Sequence, residues 1–123
     1  MSRKLDDLHH LFRPRAFEFL ARLVERRIPV IITDTLRTQA EHEINLAKHV
    51  SWIQHSKHLD GLAIDICPLS LYELHGANKL EWDARDPIWN EIGMIGESIG
   101  LKWGGRWKQR DMGHFEYAES IKV

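Results

Sequence analysis

Cysteine is almost missing from this sequence: Cys67 stands alone, so no disulfide can form within the chain. The fold must hold by packing, and it could do so in a reducing cytosol. Long apolar runs are missing too. No stretch approaches the roughly 18 residues needed to span a bilayer, so membrane insertion is not expected. There is no excess of either charge sign. The formal net charge of −1 gives no global basic field to gather nucleic acid or anionic lipid, and neither is an expected partner. No Pro/Gly/Ser linker, internal repeat or low-complexity tract divides the chain. The segment Met1 to His10 carries charges and histidines in place of the apolar core of a secretory signal. The expectation is synthesis in the cytoplasm without a signal peptide, with any external target reached only after release.

What remains is an ordinary globular composition. With 43% hydrophobic and 28% charged residues over 123 positions, the chain suits one domain, 1–123, able to bury a core unaided. A monomer is expected. Residues 14–26 read as a helix opened by Pro14, with Phe17, Leu20 and Val24 at helical spacing. Ile28 to Thr33 is a β-branched run that reads as a buried strand. Thr38 and Glu41 form a capping-box pair that starts a second helix through about Lys48. Leu62 to Cys67 reads as a strand stopped by Pro68, and residues 69–86 as a long connection. Asp86-Pro87 opens a third helix whose Ile88, Ile92, Ile95 and Ile99 share a face, with Gly100 ending it. Leu101 to Trp103, a Gly104-Gly105 turn and a last strand from His114 to Tyr117 complete the chain. Without regular βαβ alternation, this is an α+β domain: a largely antiparallel sheet with about three helices packed around it.

The chemistry concentrates in Ser56-Lys57-His58-Leu59-Asp60-Gly61-Leu62-Ala63-Ile64-Asp65. On a strand over 62–67, Leu62, Ile64 and Ile66 face the core, while Ala63 and Asp65 face the other way together. Gly61 permits a sharp turn that folds His58 back over that second face, where small Ala63 leaves room. His114, in Asp111-Met112-Gly113-His114-Phe115-Glu116, offers a third ligand. Three protein ligands with an open fourth position is the catalytic zinc arrangement, whereas structural sites are closed by four, often cysteines. Asp111, three residues earlier, can reach a metal-bound water without binding the metal. The competing reading of each single His or Asp is a solvated surface group, and eight histidines make chance pairs common.

Together these segments resemble the M15 family of zinc peptidases, and most of all its L-alanyl-D-glutamate endopeptidase branch, which includes phage endolysins. Ser56, His58, Gly61, Ala63 and Asp65 match a family pattern, Ser-x-His-x-x-Gly-x-Ala-x-Asp, one residue shorter in its first gap than the general form. Trp103-Gly104-Gly105-Arg106-Trp107-Lys108, then Asp111-x-x-His114-Phe115-Glu116, match its second half, and Arg37-Thr38 an early Arg-Thr pair. The resemblance runs from about Val30 to Tyr117. It implies that His58, Asp65 and His114 hold Zn2+, that Asp111 is the catalytic base, and that peptidoglycan stem peptides are the substrate. The related D,D-dipeptidase branch carries Glu where Asp111 stands, followed by a Trp-His pair. This chain has Gly113-His114 instead.

In the implied mechanism zinc lowers the pKa of its water to about 7, Asp111 accepts the water's proton, and Arg37 helps stabilise the oxyanion. A salt bridge from Arg37 to Asp34 or Glu41 is the alternative. Ser56 is assigned to hydrogen-bond support of the ligands. Trp103 is assigned to the same support or to substrate contact, although Trp103 and Trp107 suit a core equally well. Cys67 can share the face of Asp65 or lie buried as an inert thiol, and His55 is expected to be solvated or to line the cleft. Two other functions compete. One is a D,D-carboxypeptidase or dipeptidase with the same metal chemistry. The other is a zinc-containing binding domain of the hedgehog type, against which the joint presence of Asp111 and Arg37 speaks.

Overall fold

Helix α1 (Arg13–Glu25) carries two overlapping apolar stripes, and packing chooses between them. Phe12, Ala16, Phe19 and Leu23 turn inward, whereas Phe17 is 49% and Val24 75% exposed and Leu20 is only partly buried. The expected Phe17/Leu20/Val24 stripe is therefore the outer one. Both sets have helical spacing, so the period alone does not rank them. Arg27, at φ 58, turns the chain out of the helix, with Ile28 N–H donating back to Leu23 O at 2.9 Å. Strand β1 (Val30–Asp34) therefore begins after Pro29, two residues later than its apolar run suggests.

This computed structural model describes residues 2–47, 56–75 and 84–119. Helix α2 (Gln39–Ala47) starts at the expected capping box: Thr38 Oγ1 accepts from Glu41 N and Glu41 Oε1 accepts from Thr38 N, both at 3.1 Å. Strand β2 (Ala63–Pro68) leads directly into helix α3 (Leu69–His75), where a connection was expected. Leu71 of that helix is buried and Tyr72 packs on the core, while Leu69 is exposed. Seven residues are too few for a helix to stand on propensity, so α3 depends on this packing. Helix α4 (Ile88–Ser98) buries Ile92 and Ile95 as expected, and adds Trp89.

Strands β3 (Leu101–Trp103) and β4 (His114–Tyr117) complete an antiparallel sheet in the order β1-β2-β4-β3. The described residues thus form an α+β fold with four α-helices, one more than expected. The two central strands, β2 and β4, carry Asp65 and His114. Ile64, Ile66 and Phe115 alternate with them into the core beneath α1 and α4. Among the described residues no helix is long and apolar enough to cross a membrane.

Candidate metal centre

Asp65 and His114 are directly paired across β2 and β4, so their side chains stand together on the sheet face opposite Ile64 and Phe115. His58 comes from a helical turn, Lys57–Asp60, immediately before β2. Ser56 caps that turn, its Oγ accepting from His58 N at 3.2 Å. Gly61 ends it in the left-handed conformation at φ 70, where a Cβ would lie 2.8 Å from the backbone nitrogen of His9. The turn folds His58 over Asp65, with Nε2 3.1 Å from Asp65 Oδ1, and His114 Nδ1 lies 3.0 Å from the same oxygen. The potential ligand atoms of all three buried residues lie within 4.8 Å of one another.

Hydrogen bonding fits this group to a cation. His58 Nδ1 is 2.7 Å from the carbonyl oxygen of Thr35. A carbonyl only accepts, so Nδ1 carries a hydrogen, and in the neutral form of the ring Nε2 presents a lone pair. Nε2 is buried without a hydrogen-bond partner and faces a carboxylate oxygen. Two acceptors so close require positive charge between them, from a proton or a metal ion. Tetrahedral zinc ligands stand roughly 3.3 Å apart, near the spacings seen here.

His114 is held on both sides, by Asp65 at Nδ1 and by Glu116 Oε1 at Nε2, 2.8 Å away. Burial disfavours its charged form, but hydrogen bonds to Asp65 and Glu116, aided by the charges of Asp65 and Asp111, push its pKa up to about 9. Burial likewise works against the Glu116 carboxylate, yet His114 and Lys57 hold its pKa below the usual range. Asp34 pairs with Asp65 across a bulge between β1 and β2, bringing a second buried carboxylate alongside, and burial raises its pKa. Arg37 answers both acids. Its Nε donates to Asp34 Oδ2 at 3.2 Å, its Nη2 binds the same oxygen, and Nη2 stands 4.0 Å from Asp65 Oδ2. Of the two expectations for Arg37, the salt bridge to Asp34 is present, and it brings the guanidinium beside Asp65 as well. Glu41 caps α2.

Asp111 is half-buried in the turn before β4, where its carbonyl accepts from His114 N at 3.2 Å and its N–H donates to Gly104 O at 3.0 Å. That close crossing needs glycine, because a Cβ on Gly104 would lie 2.4 Å from Asp111 O. Trp103 departs from its assignment. It is buried in the core, stacked with Phe115, and its Nε1 donates to Met112 O at 2.8 Å. Its alternation along β3 turns it to the core side. Trp107 is the tryptophan at the centre, half-buried with its ring 4.9 Å from that of His114. Cys67 is buried in the core, and burial pushes its thiol up to about 12. Ser56 supports the His58 backbone, whereas the Thr35 carbonyl orients the ring. His55 lies outside the described residues.

Sequence reasoning named Asp34 only as a partner for Arg37, and it missed Thr35 and Glu116. Glu116 had a usable signal: two residues beyond His114 on a strand means the same face. Backbone carbonyls such as that of Thr35 leave no signature in side-chain identity.

The sheet thus carries a buried His/Asp/His group that could hold a metal ion, with further carboxylates around it. The family model described as D-alanyl-D-alanine carboxypeptidase, within the M15 peptidases, matches residues 50–117, more than half of the chain. The chain belongs to this M15 peptidase family. Among solved structures it is similar to the L-Ala D-Glu endopeptidase ChiX of Serratia marcescens, with 22% identity and a TM-score of 0.64. That match covers 93% of this chain and 83% of the Serratia one, and it supports the fold. No curated protein matches.

Proposed function

We propose that this chain is a zinc-dependent endopeptidase that hydrolyses the L-alanyl-D-glutamate bond of peptidoglycan stem peptides. The observation that carries the metal is His58 Nε2, buried, unpartnered and directed at Asp65 beside His114. His58, Asp65 and His114 would hold the ion, leaving a fourth position open, and the ion would supply Lewis acidity to a water and to the scissile carbonyl.

The remaining steps belong to this chain's own residues. Asp111, three residues before His114 and close enough to favour its charged form, is the group to take the attacking water's proton and return it to the leaving amine. Arg37, buried between Asp34 and Asp65, keeps positive charge beside the carboxylates and next to where an oxyanion would develop. Trp107 offers an aromatic wall over His114 for the substrate backbone.

Support for the bond is the Asp111-x-x-His114 ending, with Asp and Gly113 where the dipeptidase branch has Glu and Trp. The family description favours a second reading, removal of a terminal D-alanine by the same centre. Digesting purified sacculi and weighing the fragments separates the two. Glycan strands left with L-alanine only, plus peptides beginning at D-glutamate, are expected. Loss of terminal D-alanine alone, with L-alanyl-D-glutamate bonds untouched, would establish the carboxypeptidase reading. We further propose that the enzyme meets its substrate after release from the cell that makes it, as a phage endolysin acting on a host wall does. Its addition to outer-membrane-permeabilised Gram-negative cells should then clear the suspension.

A further inference from the structure

Glu116 is a buried carboxylate with no part in the chemistry above. It follows His114 by two residues on β4, so both side chains leave the same sheet face. Its cross-strand partners are Ala63 on β2, a small residue, and Lys102 on β3. Glu116 Oε1 lies 2.8 Å from His114 Nε2. A carboxylate accepts, so Nε2 must carry the hydrogen, which leaves Nδ1 as the nitrogen turned toward Asp65 and His58. The other carboxylate oxygen, Oε2, is 3.4 Å from Lys57 Nζ, and Lys57 Nζ also donates to the carbonyl of Tyr117. Lys57 adjoins His58 in the turn before β2. The same ion pair therefore steadies Glu116 and ties the turn bearing one ligand to the strand bearing another.

We propose that Glu116 is a positioning residue for the metal: it fixes His114 with Nε2 protonated and Nδ1 facing the ion, while Lys57 fixes Glu116. The proposal rests on the metal reading given above. Without the carboxylate, the ring can rotate or take the other tautomer, and the ordering of that ligand must be supplied on binding. Loss of such an outer partner typically weakens metal affinity 10–100-fold.

Zinc affinity of metal-stripped wild type, Glu116→Ala and Glu116→Gln, measured by competition with a chromogenic chelator, tests this together with nitrogen-15 spectra of the histidines in the zinc-loaded proteins. Wild type should show the Nε2–H tautomer for His114. Glu116→Ala should bind zinc about 10–100-fold more weakly and lose the single tautomer. Glu116→Gln, whose amide oxygen still accepts from Nε2–H, should keep the tautomer and recover part of the affinity. This rescue separates orientation from a general loss of folding, and its absence in a folded Glu116→Gln protein would contradict the proposal. Wild-type affinity and tautomer in Glu116→Ala would overturn the role of Glu116 while leaving the metal site standing. Failure of wild type to take up zinc would overturn both.

Discussion

Asp65 Oδ1 is the atom on which both histidines converge, at 3.1 Å for His58 and 3.0 Å for His114, with Arg37 at 4.0 Å from the other oxygen. Such a buried carboxylate must be balanced by positive charge or become protonated. The proposed division of labour makes His114→Ala and Asp111→Ala different. His114→Ala should lose zinc as well as activity, whereas Asp111→Ala should keep zinc and fold and lose roughly 10²–10⁴-fold in turnover. Metal analysis of the two purified variants would reverse the roles if Asp111→Ala were the one to release zinc. His114 also predicts a pH dependence. Its pKa in the folded, metal-free protein is raised from 6.5 to about 9, so its ion pairs contribute fully below about pH 6.5 and fade as pH rises through about 9. Thermal unfolding of chelator-treated protein should show stability falling across that window. The zinc-loaded protein should not share the fall, because the ring must give up a proton to bind and higher pH favours the ion. Parallel pH profiles with and without zinc would count against this account.

At the scale of elements, the turn from Ser56 to Gly61 is where local chain chemistry creates the centre. Gly61→Ala would put a non-glycine residue at φ 70 and a Cβ 2.8 Å from the backbone of His9. The left-handed conformation alone costs about 1–2 kcal/mol, and the contact adds to it. A lower unfolding midpoint in urea and a weaker zinc affinity are expected together, since relaxing the turn moves His58. A variant with wild-type stability and affinity would show that the turn does not set the ligand. This turn was legible in the sequence, as were the Thr38/Glu41 capping box and the alternation of β2, because each depends on residues close in the chain. The inner face of α1 was not. Phe17/Leu20/Val24 and Ala16/Phe19/Leu23 obey one period, and only contact with α4 and the sheet selects the second. Helix α3 escaped for the same reason, being two turns long and held by Leu71 and Tyr72 against the core.

Across the whole molecule, the order β1-β2-β4-β3 makes neighbours of residues far apart in sequence: Asp34, Asp65 and His114 occupy adjacent strands. That His58, Asp65 and His114 come together was legible because their spacing matches a known family. The arrangement around them was not, since pairing Asp34 with Asp65 depends on a bulge, and orienting His58 depends on the carbonyl of Thr35. Trp103 and Trp107 illustrate the limit. Four residues apart, one belongs to the core and the other lies against His114, according to where β3 ends. In the proposed function, this fold gathers His58, Asp65 and His114 to hold one ion that the peptidase reaction needs. Titrating zinc into chelator-stripped protein while following release of soluble peptide from purified peptidoglycan tests it most directly. No release is expected without metal, followed by a rise that saturates at about one zinc per chain. Full release from metal-free protein, or stoichiometric zinc binding with no release at any concentration, would contradict it.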